Sequence, residues 1–157
     1  MPGKTLQERI YSTFGEVAKA IGYSPIHGRI VGALHVNGGE MTLQALAKET
    51  GYSVSMISIS LDLLEVMGMI TKGRRPGDRN LYVTLRGDLL DVLKNAIVMR
   101  LNKSIDTTLQ DFRESRREIG SLPKEQRDRA SRAVDVLEKE ISRLRSYVKL
   151  LSGIRLP

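Results

Sequence analysis

Residues 42–68 read TLQALAKETGYSVSMISISLDLLEVMG, and two helix starts stand in them. Thr42 precedes Leu43, Leu46 and Ala47, so a threonine cap opens a short helix that runs to Thr50 and breaks at Gly51. Ser53 opens another, with Val54, Ile57, Leu61 and Leu64 spaced by three, four and three and a stop at Gly68. Two short helices joined by a tight glycine-containing turn make a helix-turn-helix.

Upstream, Leu6, Ile10, Phe14, Val17 and Ile21 recur every three to four residues and predict a first helix with those side chains on its buried face, ending at Gly22. Ser24-Pro25 then supplies a cap and a proline at the first helical position for a second helix carrying Ile26, Ile30, Val31 and Leu34, which Asn37-Gly38-Gly39 stops. Downstream, Met69–Lys72 and Leu81–Thr84 have strand composition and flank Arg74-Arg75-Pro76-Gly77-Asp78-Arg79. A hairpin with a basic tip follows, because Pro-Gly sets a turn and the arginines around it face water. The fold class expected is mainly α with a small β-wing, a winged helix-turn-helix.

Beyond it, Asp88–Arg117 reads as one long helix through Leu90, Leu93, Ile97, Leu101, Ile105, Leu109 and Phe112. Gly120 breaks it and Ser121 recaps. Ala130, Val134, Leu137, Ile141, Leu144, Val148 and Leu151 then alternate fours and threes, a coiled-coil seam with Lys139, Glu140 and Arg143 beside it. The seam closes either against a partner chain or back on the preceding helix, since Gly120-Ser121 permits a hairpin. Two long amphipathic helices exceed what a core of this size covers alone, so a homodimer held by Leu109, Phe112, Val134, Leu137, Ile141, Leu144, Val148 and Leu151 is expected. The domain reading is 1–87 for the winged helix-turn-helix and 88–157 for long C-terminal dimerisation helices.

The composition narrows the function classes. Of 157 residues, 41% are hydrophobic, enough for one compact domain with an appendage. The formal net charge of +7 favours a polyanionic partner. Cysteine is absent, which removes disulfides, thiolate nucleophiles and thiolate metal sites, and with only His27 and His35 no metal site is expected. No cofactor and no enzymatic activity are expected either, because no glycine-rich phosphate loop or nucleophile-base pair occurs. No stretch approaches the roughly 20 apolar residues of a membrane span, and Met1–Arg9 lacks the apolar core of a signal peptide, so a cytoplasmic protein without membrane contact is expected.

Charge is concentrated rather than spread. Residues 69–103 hold eight Lys and Arg against three Asp and Glu, whereas residues 1–68 hold five against six. Lys72, Arg74, Arg75 and Arg79, with Asn80, cluster around one turn, as expected for a wing, residues 72–80, lying on the backbone and minor groove of double-stranded DNA. Arg79 is the strongest of these, because the neighbouring Asp78 is expected to orient its guanidinium toward a minor groove; the alternative is a local surface pair. The helix over 53–67 would lie in the major groove. It has no Lys or Arg and so cannot make the common arginine-to-guanine contact, but Ser55, Met56, Ser58 and Ile59, with Ser60 beside them, fall away from the apolar face. Their hydroxyls reach phosphates or base edges, and Met56 or Ile59 touches a thymine methyl; burial in a larger core or a dimer contact is the alternative for those two. Thr42, Gln44 and Ser53 stand at helix N-termini, where free backbone NH groups hold phosphate, although Thr42 and Ser53 cap in either case.

These residues resemble a known group. The span from about Tyr11 to Val92 is similar to the GbsR-type branch of the MarR-like winged-helix regulators, through Gly22-Tyr23-Ser24-Pro25-Ile26-His27-Gly28-Arg29-Ile30, Ser53-Val54-Ser55-Met56-Ile57-Ser58, Leu63-Leu64-Glu65-Val66-Met67-Gly68-Met69-Ile70 and Arg75-Pro76-Gly77-Asp78-Arg79. The resemblance implies a homodimer joined by its terminal helices, two winged helices in successive major grooves of a pseudo-palindromic operator, and room for a small-molecule effector between the two parts. The chain departs from the group at Ile59-Ser60-Leu61-Asp62, where relatives often carry a basic residue. A dimeric transcriptional regulator that represses is therefore expected. Two alternatives stay open: an architectural DNA-binding protein with little sequence preference, and a winged-helix protein-interaction module.

Overall fold

The computed structural model describes residues 5–155 and 157; residues 1–4, which begin the Met1–Arg9 stretch considered above, lie outside the described residues. In chain order the elements are α1 (Leu6–Ala20), α2 (Pro25–Val36), β1 (Glu40–Thr42), α3 (Leu43–Thr50), α4 (Val54–Val66), β2 (Ile70–Arg74), β3 (Leu81–Leu85), α5 (Leu89–Ile119) and α6 (Lys124–Gly153). This is a winged helix-turn-helix with long C-terminal helices, mainly helical, carrying one small antiparallel sheet in the order β1-β3-β2. β1 was not legible as a strand: it pairs Met41 with Val83 and places Glu40 opposite Thr84, turning a two-stranded hairpin into three strands. Among the described residues no helix is long and apolar enough to cross a membrane.

The chain divides into two compact units, Met1–Ala96 and Ile97–Pro157. The division falls after Ala96 because Val92 and Ala96, in the first turns of α5, are buried in the core of the first unit. That core gathers Ile30 and Leu34 of α2, Leu46 of α3, Ile57, Leu61 and Leu64 of α4, and Ile70 and Val83 of the sheet. Burying a side chain of this size contributes about 1.5–3 kcal/mol, so these residues fix how α2, α3, α4 and the wing are joined.

Three local expectations are corrected. On α1 the buried residues are Tyr11, Gly15 and Ala18, while Leu6 and Val17 are exposed. Ile10, Phe14 and Ile21 of the expected stripe do pack, half-buried, against the core, and small residues add a closer contact: a Cβ on Gly28 would stand 2.0 Å from the Phe14 carbonyl oxygen, so α1 and α2 also touch through backbone. Ser24 is the N-cap residue of α2, but its side chain makes no capping hydrogen bond. The N-cap of α6 is Pro123 rather than Ser121, whose hydroxyl instead donates to the Glu118 carbonyl at the end of α5.

In the second unit α6 runs antiparallel to the C-terminal part of α5. Arg116 pairs with Asp135 at 2.6 Å and also with Glu138, and Arg145 pairs with Asp106. Ile105, Val134 and Val148 are buried, and Leu109, Phe112, Ile141 and Leu151 are half-buried. Leu137 and Leu144 of the same heptads are exposed, so only part of the seam is covered within the chain.

Candidate nucleic-acid interface

Two capped helix starts meet at a left-handed turn. The Thr42 hydroxyl accepts from Ala45 N at 3.1 Å and the Ser53 hydroxyl from Met56 N at 3.2 Å. Gly51, at φ +76°, ends α3 in a conformation that favours glycine and lets α4 start three residues later. Gln44, Ser53, Ser55, Met56 and Ile59 are exposed, Thr42 and Ser58 half-buried. Ser60 is corrected from the outward set: it is buried and its hydroxyl donates to the Met56 carbonyl at 2.8 Å. Val54, expected on the core face, is exposed, because the first turn of α4 stands clear of the core that Ile57 enters.

The wing closes on Pro76-Gly77, where Gly77 has φ +74° and Asp78 N donates to the Arg75 carbonyl at 3.0 Å. Asp78 does not orient Arg79. Its carboxylate accepts from Tyr82 Oη and from Asn80 N at 2.9 Å, and these bonds, Tyr82 first, hold its pKa below the ordinary value while raising that of Tyr82. Arg75 ion-pairs with Glu40 and lies over the Tyr82 ring, 3.7 Å from its centroid. The Arg75 partnership lowers the Glu40 pKa, helped by a 3.0 Å hydrogen bond from the Thr84 hydroxyl. Glu40, Tyr82 and Thr84 thus belong to the wing tip, although no spacing in the sequence joins Glu40 to it.

The four wing cations are not equivalent. Lys72 is held by Asp62 at 2.6 Å and Glu65 at 3.1 Å, both on α4, and its pKa is raised by Asp62 and then Glu65. Arg75 is engaged by Glu40 and Tyr82. Arg74 is exposed and donates to the Arg79 carbonyl at 2.8 Å, which keeps its charge uncompensated. Arg79 is exposed and, among the described residues, meets no carboxylate. Asn80 is exposed beside it. Among the described residues the wing therefore offers two guanidinium groups without a carboxylate partner and a lysine that braces β2 against α4.

The first unit also holds a cavity of about 220 Å³ walled almost entirely by carbon, with Phe14, Val17, Ile21, Met67 and Val92 among its lining residues. His27 lines it as well, and its Nδ1 is buried without a hydrogen-bond partner. Burial lowers the His27 pKa; the Ser24 backbone acts in the opposite direction but makes no well-formed hydrogen bond to Nδ1. At the edge of the cavity Tyr23 Oη donates to the Ala96 carbonyl at 2.7 Å. Among the described residues no three His, Asp or Glu side chains gather into a metal cage.

The arrangement of capped α3 and α4 followed by a three-stranded wing defines a winged helix-turn-helix. Residues 21–79, from the end of α1 to the wing tip, match the model of the MarR family. A crystal structure of a transcriptional regulator is similar over almost the full length, with a TM-score of 0.68 at 18% identity, covering 94% of this chain and 95% of that one. YusO from Bacillus subtilis is also similar at 18% identity, covering 85% of this chain and 87% of its own, with a TM-score of 0.44. Reduced AbfR bound to DNA is similar at 19% identity over 87% and 85% of the two chains, with a TM-score of 0.43. At 18% identity the likeness to the first of these, with its TM-score of 0.68, is one of fold. No curated protein matches the chain.

Proposed function

We propose that this chain is a dimeric, DNA-binding transcriptional regulator that represses in the cytoplasm. It places α4 in the major groove and lays the wing, residues 72–80, on the backbone and minor groove. The observation that carries this reading is the pair of uncompensated guanidinium groups of Arg74 and Arg79 at the tip of a hairpin braced against α4. Exposed arginines on a rigid support suit phosphates and a narrow minor groove. The N-termini of α3 and α4 add backbone NH groups for phosphate near Thr42, Gln44, Ser53 and Ser55. Support for a MarR-type regulator comes from the family match over residues 21–79, and the Arg75–Arg79 wing segment favours the GbsR-type branch. Exposed Leu137 and Leu144 on α6 support a homodimer, since an apolar heptad stripe left in water stabilises a complex once covered.

An effector fits the same reading. The cavity in the first unit exceeds the roughly 150 Å³ that holds one benzene ring, and the unpartnered His27 Nδ1 in its wall would meet a single polar group. A small aromatic molecule with one hydroxyl or carboxyl group has the matching chemistry.

The test is titration of the full chain with a duplex from its own upstream region and with a scrambled duplex, at two salt concentrations, with mass measured in the same samples. Selective binding by two chains per duplex is expected. Equal affinity for both duplexes selects the architectural reading, which the absence of Lys, Arg, Asn and Gln from residues 53–67 favours.

A further inference from the structure

We infer that α4 selects its target sequence through the C5-methyl groups of thymine, with Ile59 as the reading side chain; this rests on the proposal that α4 enters a major groove. The line of α4 opposite the core passes through Ser55, Ile59 and Val66, four and seven residues apart. Ile59 is 73% exposed and Val66 77%, with Met56 at 49% flanking them, so an aliphatic ridge stands in water where base-reading side chains are expected.

Base edges in the major groove present acceptors, donors and one carbon surface, the thymine methyl. The bidentate contacts to guanine and adenine need Arg, Lys, Asn or Gln, and residues 53–67 contain none of these. Ser60 turns inward to the Met56 carbonyl, and Asp62 and Glu65 share Lys72, at 2.6 and 3.1 Å, which offsets part of the negative charge that would otherwise repel phosphate. Ser55 and Ser58 accept or donate to any base and so discriminate weakly. What distinguishes one base pair from another along this helix is therefore carbon meeting carbon. The occupant is a duplex rather than an apolar protein, because the ridge is followed by the hairpin whose tip carries the uncompensated charges of Arg74 and Arg79.

The test uses the full chain and the duplexes it enriches from a random-sequence pool, resynthesised with deoxyuridine at every thymidine. Deoxyuridine pairs as thymidine does and lacks only the methyl. Affinity is expected to fall roughly tenfold, from one methyl uncovered in each half-site, with the salt dependence unchanged. Ile59→Ala, a change on an exposed position, is expected to bind the thymidine duplex more weakly and to lose the difference between the two duplexes. Equal binding of both duplexes by the unaltered chain overturns methyl readout and leaves the regulator reading standing. Failure to hold any duplex at low salt overturns that reading and this inference together. A fall from dimer to monomer in Ile59→Ala with the duplex difference retained also overturns it, by assigning the ridge to a second copy of the chain.

Discussion

The guanidinium of Arg75 lies 3.7 Å from the centroid of the Tyr82 ring, above a tyrosine whose hydroxyl donates to Asp78. With Glu40 paired to the same guanidinium, the arginines of the wing divide into a structural one, Arg75, and two without a carboxylate partner among the described residues, Arg74 and Arg79. Arg79→Ala is expected to weaken duplex binding and to flatten the dependence of log affinity on log salt by about 0.9, the contribution of one phosphate contact. Arg145→Ala, which removes the pair to Asp106 in the second unit, is expected to change neither. Equal losses in both variants would remove the wing from the DNA interface.

The Lys72 clamp leads to an opposite expectation. Its charge is compensated by Asp62 and Glu65, so Lys72→Ala leaves the salt slope almost unchanged even though a cation is lost. Asp62→Asn takes away a negative charge on the outer side of α4 and relaxes the lysine; it is expected to raise affinity for duplexes of any sequence and to steepen the slope by up to about 0.9. Fluorescence anisotropy across a salt series reads both variants, and a slope flattened by about 0.9 in Lys72→Ala, the loss of one phosphate contact, would contradict the clamp.

The wing tip also carries a pH signature. Glu40 and Asp78 both have folded pKa values below their ordinary 4.5 and 3.8, through Arg75 and Tyr82 respectively. A lowered carboxylate pKa contributes order that is complete above the ordinary value and is lost as pH falls through the folded value. The tip is therefore expected to keep one conformation from neutral pH down to about 4.5 and to loosen only below it. Amide shifts of Gly77 and Asn80 followed by NMR report this, and a midpoint above the ordinary carboxylate values would count against the Glu40–Arg75 and Asp78–Tyr82 contacts.

What was legible in the sequence was local. Caps at Thr42 and Ser53, the Gly51 break and the Pro76-Gly77 turn each act within a few residues, and α3, α4 and the wing stand where those signals put them. What was not legible depends on distance along the chain. β1 has three residues, too few to show alternation, and without it nothing joins Glu40 to Arg75, 35 positions away. Asp78 was read with its neighbour Arg79 because adjacency is all that a sequence displays, whereas the β3 backbone brings Tyr82 to it instead. The face of α1 is legible only in part: Ile10, Phe14 and Ile21 pack against the core, but hydrophobic periodicity finds bulky stripes and is blind to contacts made by glycine, such as that of Gly28 with Phe14.

That contact yields a stability prediction. A Cβ at Gly28 would meet Phe14 backbone atoms at 2.0 and 2.5 Å, and backbone cannot rotate away as a side chain can. Gly28→Ala is expected to cost about 3 kcal/mol or more, at or above the upper end for overpacked sites, and to lower the melting temperature by on the order of 10 °C. Gly73→Ala, in β2 with open space around the new methyl, is the control and is expected to melt close to the unaltered protein. Thermal unfolding followed by circular dichroism compares the two; equal melting temperatures would show that α1 and α2 can separate to admit a methyl.

The last seam separates two roles within single heptads. Val134, Ile141 and Val148 recur every seven residues on α6; Val134 and Val148 are buried, Val148 to 2% exposure. Leu137 and Leu144 lie three residues further on in each repeat and are 50% and 38% exposed. If a second chain covers them, a carboxylate at each position must be desolvated in the dimer and not in the monomer. Leu137→Asp combined with Leu144→Asp is therefore expected to weaken the dimer by at least about 100-fold while the helical circular dichroism signal stays intact. Val148→Asp places the same charge inside the chain's own packing, so it is expected to reduce helical signal and melting temperature before any question of assembly arises. Sedimentation of both variants at matched concentration decides the matter: a dimer that survives the double change at Leu137 and Leu144 would mean that association uses another surface, and that the exposed half of this heptad pattern has no partner helix.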